Sequence, residues 1–237
     1  MTARLYVTSL SNPSKAAAAM LSYKRLPHRR INLPSGFHPR LVRAAGFQGR
    51  TVPALELNGR HVQGSLEISR ALDEAIAERP LFPPEPFARR SVEDAERWGH
   101  DELQPLPRRI FRRAAVRDPA LRRWVAADVA GVPAPAVMAA LTKPVAARRS
   151  AEAGNDEATI REDVARLPGL LDHVDALVGV GVIGTDRPNA ADFQILSSVR
   201  VLLDFKALPA AEDRPSAQRA RRLFPYWEGE MPYFEIP

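Results

Sequence analysis

The chain contains no cysteine. That removes disulfides, thiolate-ligated zinc, a cysteine nucleophile and a protein-borne CxxC redox couple. If thiol chemistry takes place here, the thiol belongs to a ligand. Lysine is also scarce: of 34 basic residues only Lys15, Lys24, Lys143 and Lys206 are lysine. Beside so much alanine and proline, this reads as coding bias rather than selection for phosphate recognition, so the basic pI carries little functional weight. No apolar run approaches the roughly 18 residues of a membrane span, and no basic-then-apolar leader opens the chain. The expectation is a soluble cytoplasmic protein with no membrane partner. The histidines, His28, His38, His61, His100 and His173, lack metal-ligand spacing, so no metal is expected. There is no GxSxG, Walker lysine motif or HExxH. The literal GxGxxG at residues 179–184 follows a helical pattern without a βαβ unit around it. It reads as a helix-to-helix loop, and no nucleotide is expected.

Hydrophobic residues make up 45% of the 237, enough to bury a core in one large domain or two ordinary ones. The basic excess is local: residues 1–80 hold 12 Lys/Arg against 5 Asp/Glu, leaving 22 against 23 for the rest. Arg25, Arg29, Arg30, Arg40, Arg43 and Arg50 crowd one segment with His28 and His38, a source of positive potential or simply a solvated surface. Only Phe37 and Phe47 interleave these arginines, so no nucleic-acid partner is expected.

The most informative stretch runs from Arg50 to Asp73. Val52-Pro53 precedes a short strand at residues 54–57, and a proline there sits at the strand's first residue or in a tight turn. Asn58-Gly59 is a strong hairpin signal, because a type I′ turn needs positive φ at both central residues. Residues 60–63 return as the paired strand. Ser65 reads as the N-cap of a helix carrying Leu66, Ile68, Ser69, Leu72 and Ile76, with Glu67 complementing the helix dipole.

Upstream, residues 4–8 form a strand, 9–13 a break and 14–24 an alanine-rich helix; residues 30–33 form a second strand and 39–45 a helical turn or two. The order is β-α-β-α-β-β-α over residues 1–78, an α/β mixed-sheet domain. Residues 79–86 hold four prolines and read as a stiff linker. Residues 87–237 are all-α in pattern: helices over 87–115 with a kink at Pro105 and Pro107, 119–130, 135–150, 157–178, 189–206 and 216–223, with breaks at 131–133 and 154–155. Asn189 and Asp192 are spaced as a capping box ahead of a helix expected to be buried and central. The aromatic tail with Tyr226, Trp227, Tyr233 and Phe234 is expected to lie over the body.

This arrangement resembles the glutathione S-transferase family, in its theta-like, serine-type classes. The residues that carry the resemblance are Leu5-Tyr6, Ser11-Asn12-Pro13, Thr51-Val52-Pro53-Ala54-Leu55, the segment from Gly64-Ser65 to Ile68, and Pro188-Asn189-Ala190-Ala191-Asp192-Phe193. It implies a thioredoxin-like N-terminal domain joined to an all-α helical bundle. It also implies a cis Pro53, with the Val52 backbone pairing the extended part of a thiol ligand, and Ser65 holding a γ-glutamyl carboxylate at a helix N-terminus. Ser11 then takes the role of the catalytic hydroxyl that stabilises the thiolate; Ser9 is the alternative, and Ser14, also a contender, is equally a candidate cap of the first helix. The family commonly places an acid or glutamine before the binding serine, where this chain has Gly64. Gln63 or Glu67 could compensate; otherwise the co-substrate is another low-molecular-weight thiol, such as a sugar-based one, rather than glutathione.

A second-substrate pocket is implied against the first helix after the linker, with Trp98, Asp101, Glu102, Pro105 and Arg109 as candidates; core packing is the other reading of Trp98. The expected function is a thiol transferase acting on an electrophile, homodimeric as the resemblance implies. The alternative is a non-catalytic ligand-binding or interaction module with a degenerate thiol site.

Overall fold

A computed structural model describes residues 1–34, 36–129, 156–208, 211–225 and 231–236, together with 140, 143, 144, 147, 148, 150 and 151. Four strands form one sheet in the order β2-β1-β3-β4: β1 is Ala3–Val7, β2 Arg29–Asn32, β3 Ala54–Leu57 and β4 Arg60–Gln63. β1 runs parallel to β2 and antiparallel to β3, with Tyr6 opposite both Ile31 and Ala54. The β3–β4 hairpin closes through Asn58 and Gly59 at φ 51° and 81°. Positive φ at both positions is what this turn requires.

Helices α1 (Asn12–Tyr23) and α3 (Ser65–Ala75) pack together against the sheet, while α2 (His38–Ala44) joins a smaller cluster on Val42, Phe47 and Ala54, bordered by Tyr6 and Val52. The observed order is the expected thioredoxin-like β-α-β-α-β-β-α, and the region beyond it is helical. α4 (Pro86–Trp98) passes into a π-helical segment, Gly99–Leu103, and then α5 (Pro105–Arg117). The kink expected at Pro105 and Pro107 takes that form: the wider π turn lies immediately ahead of a proline that brings no N–H to the ladder. α6 (Pro119–Trp124) is likewise followed by a π segment, Val125–Val129. α7 is Glu157–Gly179, α8 Ala190–Leu202 and α9 Pro215–Leu223. α8 stops four residues short of the expected end, closing in turns.

α8 is the hub, contacting α1, α4 and α9. Phe193, Ile195, Leu196, Val199 and Leu202 on it are fully buried. Its start carries both halves of the capping box: Asn189 Oδ1 accepts from the Ala191 and Asp192 N–H groups, and Asp192 Oδ2 accepts from the Asn189 N–H at 2.9 Å. Asp192 Oδ1 also takes the Gly184 N–H at 2.6 Å, tying down the loop that contains the literal GxGxxG. Burial pushes the Asp192 carboxyl up to about 6 against these hydrogen bonds.

Residues 76–81 are held by one buried cation. Lys24 Nζ, its side chain fully covered, lies 2.8 Å from Asp73 Oδ1 and donates to the carbonyls of Ile76 and Glu78. Asp73 in turn accepts the Leu81 N–H, and the Leu81 carbonyl accepts the Ala190 N–H. Met231 and Phe234 of the tail are buried. Tyr226, Trp227, the breaks expected at 131–133 and 154–155, and most of the helix expected over 135–150 lie outside the described residues. No helix among the described residues is long and apolar enough to cross a membrane, and no cluster of potential metal ligands occurs among them.

Candidate functional site

Three loops meet at one edge of the sheet, because the strand register brings them there. The residue after β1 leads into Ser11, where the Ser11 N–H donates to the Thr8 carbonyl at 3.2 Å. β3 begins one residue after Pro53, with Ala54 opposite both Tyr6 and Gln63. The Gly64 N–H donates to the Pro53 carbonyl at 2.9 Å, so the start of α3 is fastened to the Val52–Pro53 peptide. That peptide is cis. Neither the N–H nor the C=O of Val52 has a backbone partner among the described residues, which leaves a donor and an acceptor able to pair with a ligand as a strand edge does.

The cap of α3 differs from expectation. Gly64, at φ 98° and ψ 148°, is the N-cap, and Ser65 is the first helical residue. The Ile68 N–H bonds to the Gly64 carbonyl, and no side chain caps the helix. Only glycine enters this backbone region at low cost, so the residue that turns the chain into the helix displaces serine from the cap by one position. Ser65 is 2% exposed, and its Oγ has no hydrogen-bond partner among the described residues. A buried hydroxyl without a partner costs free energy in proportion to the hydration it has lost. Here it sits beside the uncapped first-turn N–H groups, where an anionic group would satisfy both. α3 is held from behind: Ser69 Oγ donates to Glu96 Oε1 at 2.7 Å, and Arg70 pairs with the other Glu96 oxygen. Burial pushes the Glu96 carboxyl up, with Arg70 and Ser69 pulling it back.

Ser11 is the N-cap of α1. Its Oγ accepts the Ser14 N–H at 3.3 Å, so the cap is Ser11 and not Ser14: α1 begins two residues earlier than its alanine-rich run. Accepting that bond leaves the Ser11 O–H proton available to donate. Ser14 Oγ is buried without a partner, and Ser9 lies in the turn before Ser11, half-buried.

The possible substitutes for a side chain at position 64 divide clearly. Gln63 is committed, its Oε1 accepting the Gly49 N–H at 2.9 Å and its Nε2 donating to the Thr51 carbonyl at 2.7 Å. It braces the loop leading to Val52. Glu67 is exposed.

The second-substrate candidates lie at the α4–α5 junction. Trp98 packs on His173 of α7 with ring centroids 4.3 Å apart and is half-buried. Glu102 is on the π segment and pairs with Arg166 at 2.7 Å, and Asp101 is exposed. Arg109 is bidentate to the buried Asp163, a structural pair rather than an open ligand group. Sequence reasoning missed Asn12. It is 4% exposed and donates from Nδ2 to Ser198 Oγ on α8 at 2.9 Å. Its position next to Ser11 was the only signal.

Residues 5–80 match the family model described as the glutathione S-transferase N-terminal domain. No curated protein sequence matches the chain. Among solved structures, a glutathione S-transferase from Rhodospirillum rubrum F11 aligns with a TM-score of 0.62 and 18% identity over 99% of this chain and 96% of its own. FzlA from C. crescentus aligns at 0.65 and 17%, over 98% and 96%. A maleylacetoacetate isomerase from Anaeromyxobacter dehalogenans 2CP-1, with glutathione bound in its active site, aligns at 0.56 and 21%, over 94% and 89%. The described residues therefore have the two-part fold of these proteins: a thioredoxin-like sheet domain followed by a helical region.

Proposed function

We propose that the protein is a glutathione-transferase-type enzyme that activates a small thiol and transfers it to an electrophile. Residues 1–78 are the thiol-binding domain, 79–86 the linker and 87–237 the substrate domain. The Val52 backbone, beside cis Pro53, pairs with the extended body of the thiol, and Ser65 with the first-turn N–H groups of α3 receives its carboxylate. Ser11 donates its hydroxyl proton in a hydrogen bond to the sulfur. A free thiol, with pKa near 8.5, is only a few per cent ionised at neutral pH. A hydrogen bond to the charged form is worth roughly 1.5–3 kcal/mol, which lowers that pKa by about one to two units. The thiol proton passes to solvent. The thiolate then attacks an electrophilic carbon held near Trp98 and Glu102: a C–S bond forms, and the leaving group departs with its bonding pair.

The observation that carries this reading is the Ser65 hydroxyl, buried and without a partner among the described residues, at a helix start fastened to the Pro53 carbonyl. The commitment of Gln63 and the absence of a side chain at Gly64 favour a thiol without an ammonium group at the end that Ser65 holds, in place of glutathione. The same two features support the second reading, a ligand-binding module without catalysis. Titration with glutathione and with sugar-based thiols, followed by turnover of a halo-aromatic electrophile, separates them. Binding with turnover supports the transferase, binding without turnover supports a ligand-binding module, and no thiol binding removes the transferase and favours an interaction module with a degenerate thiol site.

A further inference from the structure

A buried polar path leaves the Ser11 loop and crosses into the helical region. Asn12 Nδ2 donates to Ser198 Oγ at 2.9 Å, and the Ser198 hydroxyl donates onward to the Gln194 carbonyl at 3.4 Å. Gln194 Nε2 donates to Gln104 Oε1, and the Gln104 N–H donates to the Gly99 carbonyl at 2.9 Å, closing on the π segment between Trp98 and Glu102. Every side chain on the path is nearly or fully buried: Asn12 4%, Ser198 0%, Gln194 1% and Gln104 6% exposed. Water does not compete for these groups, so each bond holds its partners firmly.

Beyond its backbone bonds to Thr8 and Lys15, Ser11 is held by two side-chain constraints. Its own hydroxyl receives the Ser14 N–H. Its neighbour Asn12 is fastened across the molecule to α8, the best-buried helix of the fold. Without the second constraint the local bonds of Ser11 would remain and α1 would still pack on α8, but the turn that carries Ser11 would lose this polar fastening to that helix.

We propose that Asn12 is a positioning residue for the Ser11 hydroxyl, anchored by Ser198 of α8. This rests on the thiol-transferase reading above. Losing the anchor misplaces the Ser11 proton relative to the sulfur, and small displacements from productive geometry carry large rate costs. The effect falls on the ionisation of the bound thiol, because Ser11 acts on the sulfur, while thiol affinity rests on Val52 and Ser65.

The test is the pH–rate profile of thiol transfer in the wild type, Asn12→Ala, Ser198→Ala and the double variant. Each single variant is expected to move the acid limb upward by about one pH unit, a roughly tenfold loss of thiolate below it, with the thiol KM little changed. The double variant is expected to move it no further, since both changes remove one bond. Ser198→Ala reads the same bond from the far side should Asn12→Ala fold poorly. An unmoved profile in the variants, or additive shifts in the double variant, overturns the proposal and leaves the thiol-transferase reading standing. A wild type that neither binds nor turns over a thiol overturns both.

Discussion

Ser11 Oγ accepts the backbone N–H of Ser14 at 3.3 Å. One hydroxyl therefore has two capacities: its lone pair caps α1, and its proton is left to donate elsewhere. Ser11→Ala is expected to cost about 0.5–2 kcal/mol of stability through the lost cap, and to lower thiol transfer at neutral pH roughly tenfold to hundredfold. Urea denaturation and steady-state kinetics measure the two effects. Ser14→Ala, which keeps the backbone donor, is expected to leave the cap in place. A larger kinetic loss in Ser14→Ala than in Ser11→Ala would reassign the catalytic hydroxyl.

Gly64 turns the chain into α3 at φ 98° and ψ 148°, and a Cβ built there meets nothing within 4 Å. The cost of a side chain is therefore backbone strain and not collision. Gly64→Ala is expected to destabilise the protein by about 1–3 kcal/mol, measured by urea denaturation. A neutral substitution would show that the loop relaxes without strain.

Lys24→Met breaks the buried pair with Asp73 and leaves the Ile76 and Glu78 carbonyls without this donor. Breaking a buried ion pair from one side costs about 3–5 kcal/mol. Loss of that order in equilibrium unfolding, with faster proteolysis of residues 79–86, is the expected result.

Asp192 carries the sharpest pH dependence. Its ordinary value is 3.8 and burial raises it to about 6 in the folded protein. Between these values the folded protein holds a proton that the unfolded chain has released. The stability contributed by this protonation is complete below about pH 4 and is lost as pH rises through about 6. Comparing the pH dependence of unfolding for the wild type and Asp192→Asn is expected to remove that slope in the variant. Carbon-detected NMR titration should place the carboxyl near 6.

The parts of this fold governed by neighbouring residues were legible in the chain. The hairpin came out at its observed bounds because Asn58 and Gly59 supply the two positive φ values that the turn needs. The Asn189–Asp192 box was readable because both of its bonds span three residues or fewer. The candidate site was legible in its loops but not in its bonds. Ser65 reads as the cap because serine is a good one, yet the backbone turn at Gly64 decides the position. Asn12 and Gln63 could not be assigned, because their partners Ser198, Gly49 and Thr51 are brought near only by the fold. The π segments were also hidden, since Pro105 signals a disturbed ladder without stating its form.

The central claim is that Ser11 lowers the pKa of a thiol seated between Val52 and Ser65. Ultraviolet titration of the bound thiol's thiolate absorbance, in wild type and Ser11→Ala, tests it most directly. The predicted result is a pKa about one to two units below that of the free thiol in the wild type, returning to near the free value in the variant with binding retained. A bound thiol that titrates identically in the two proteins would contradict it.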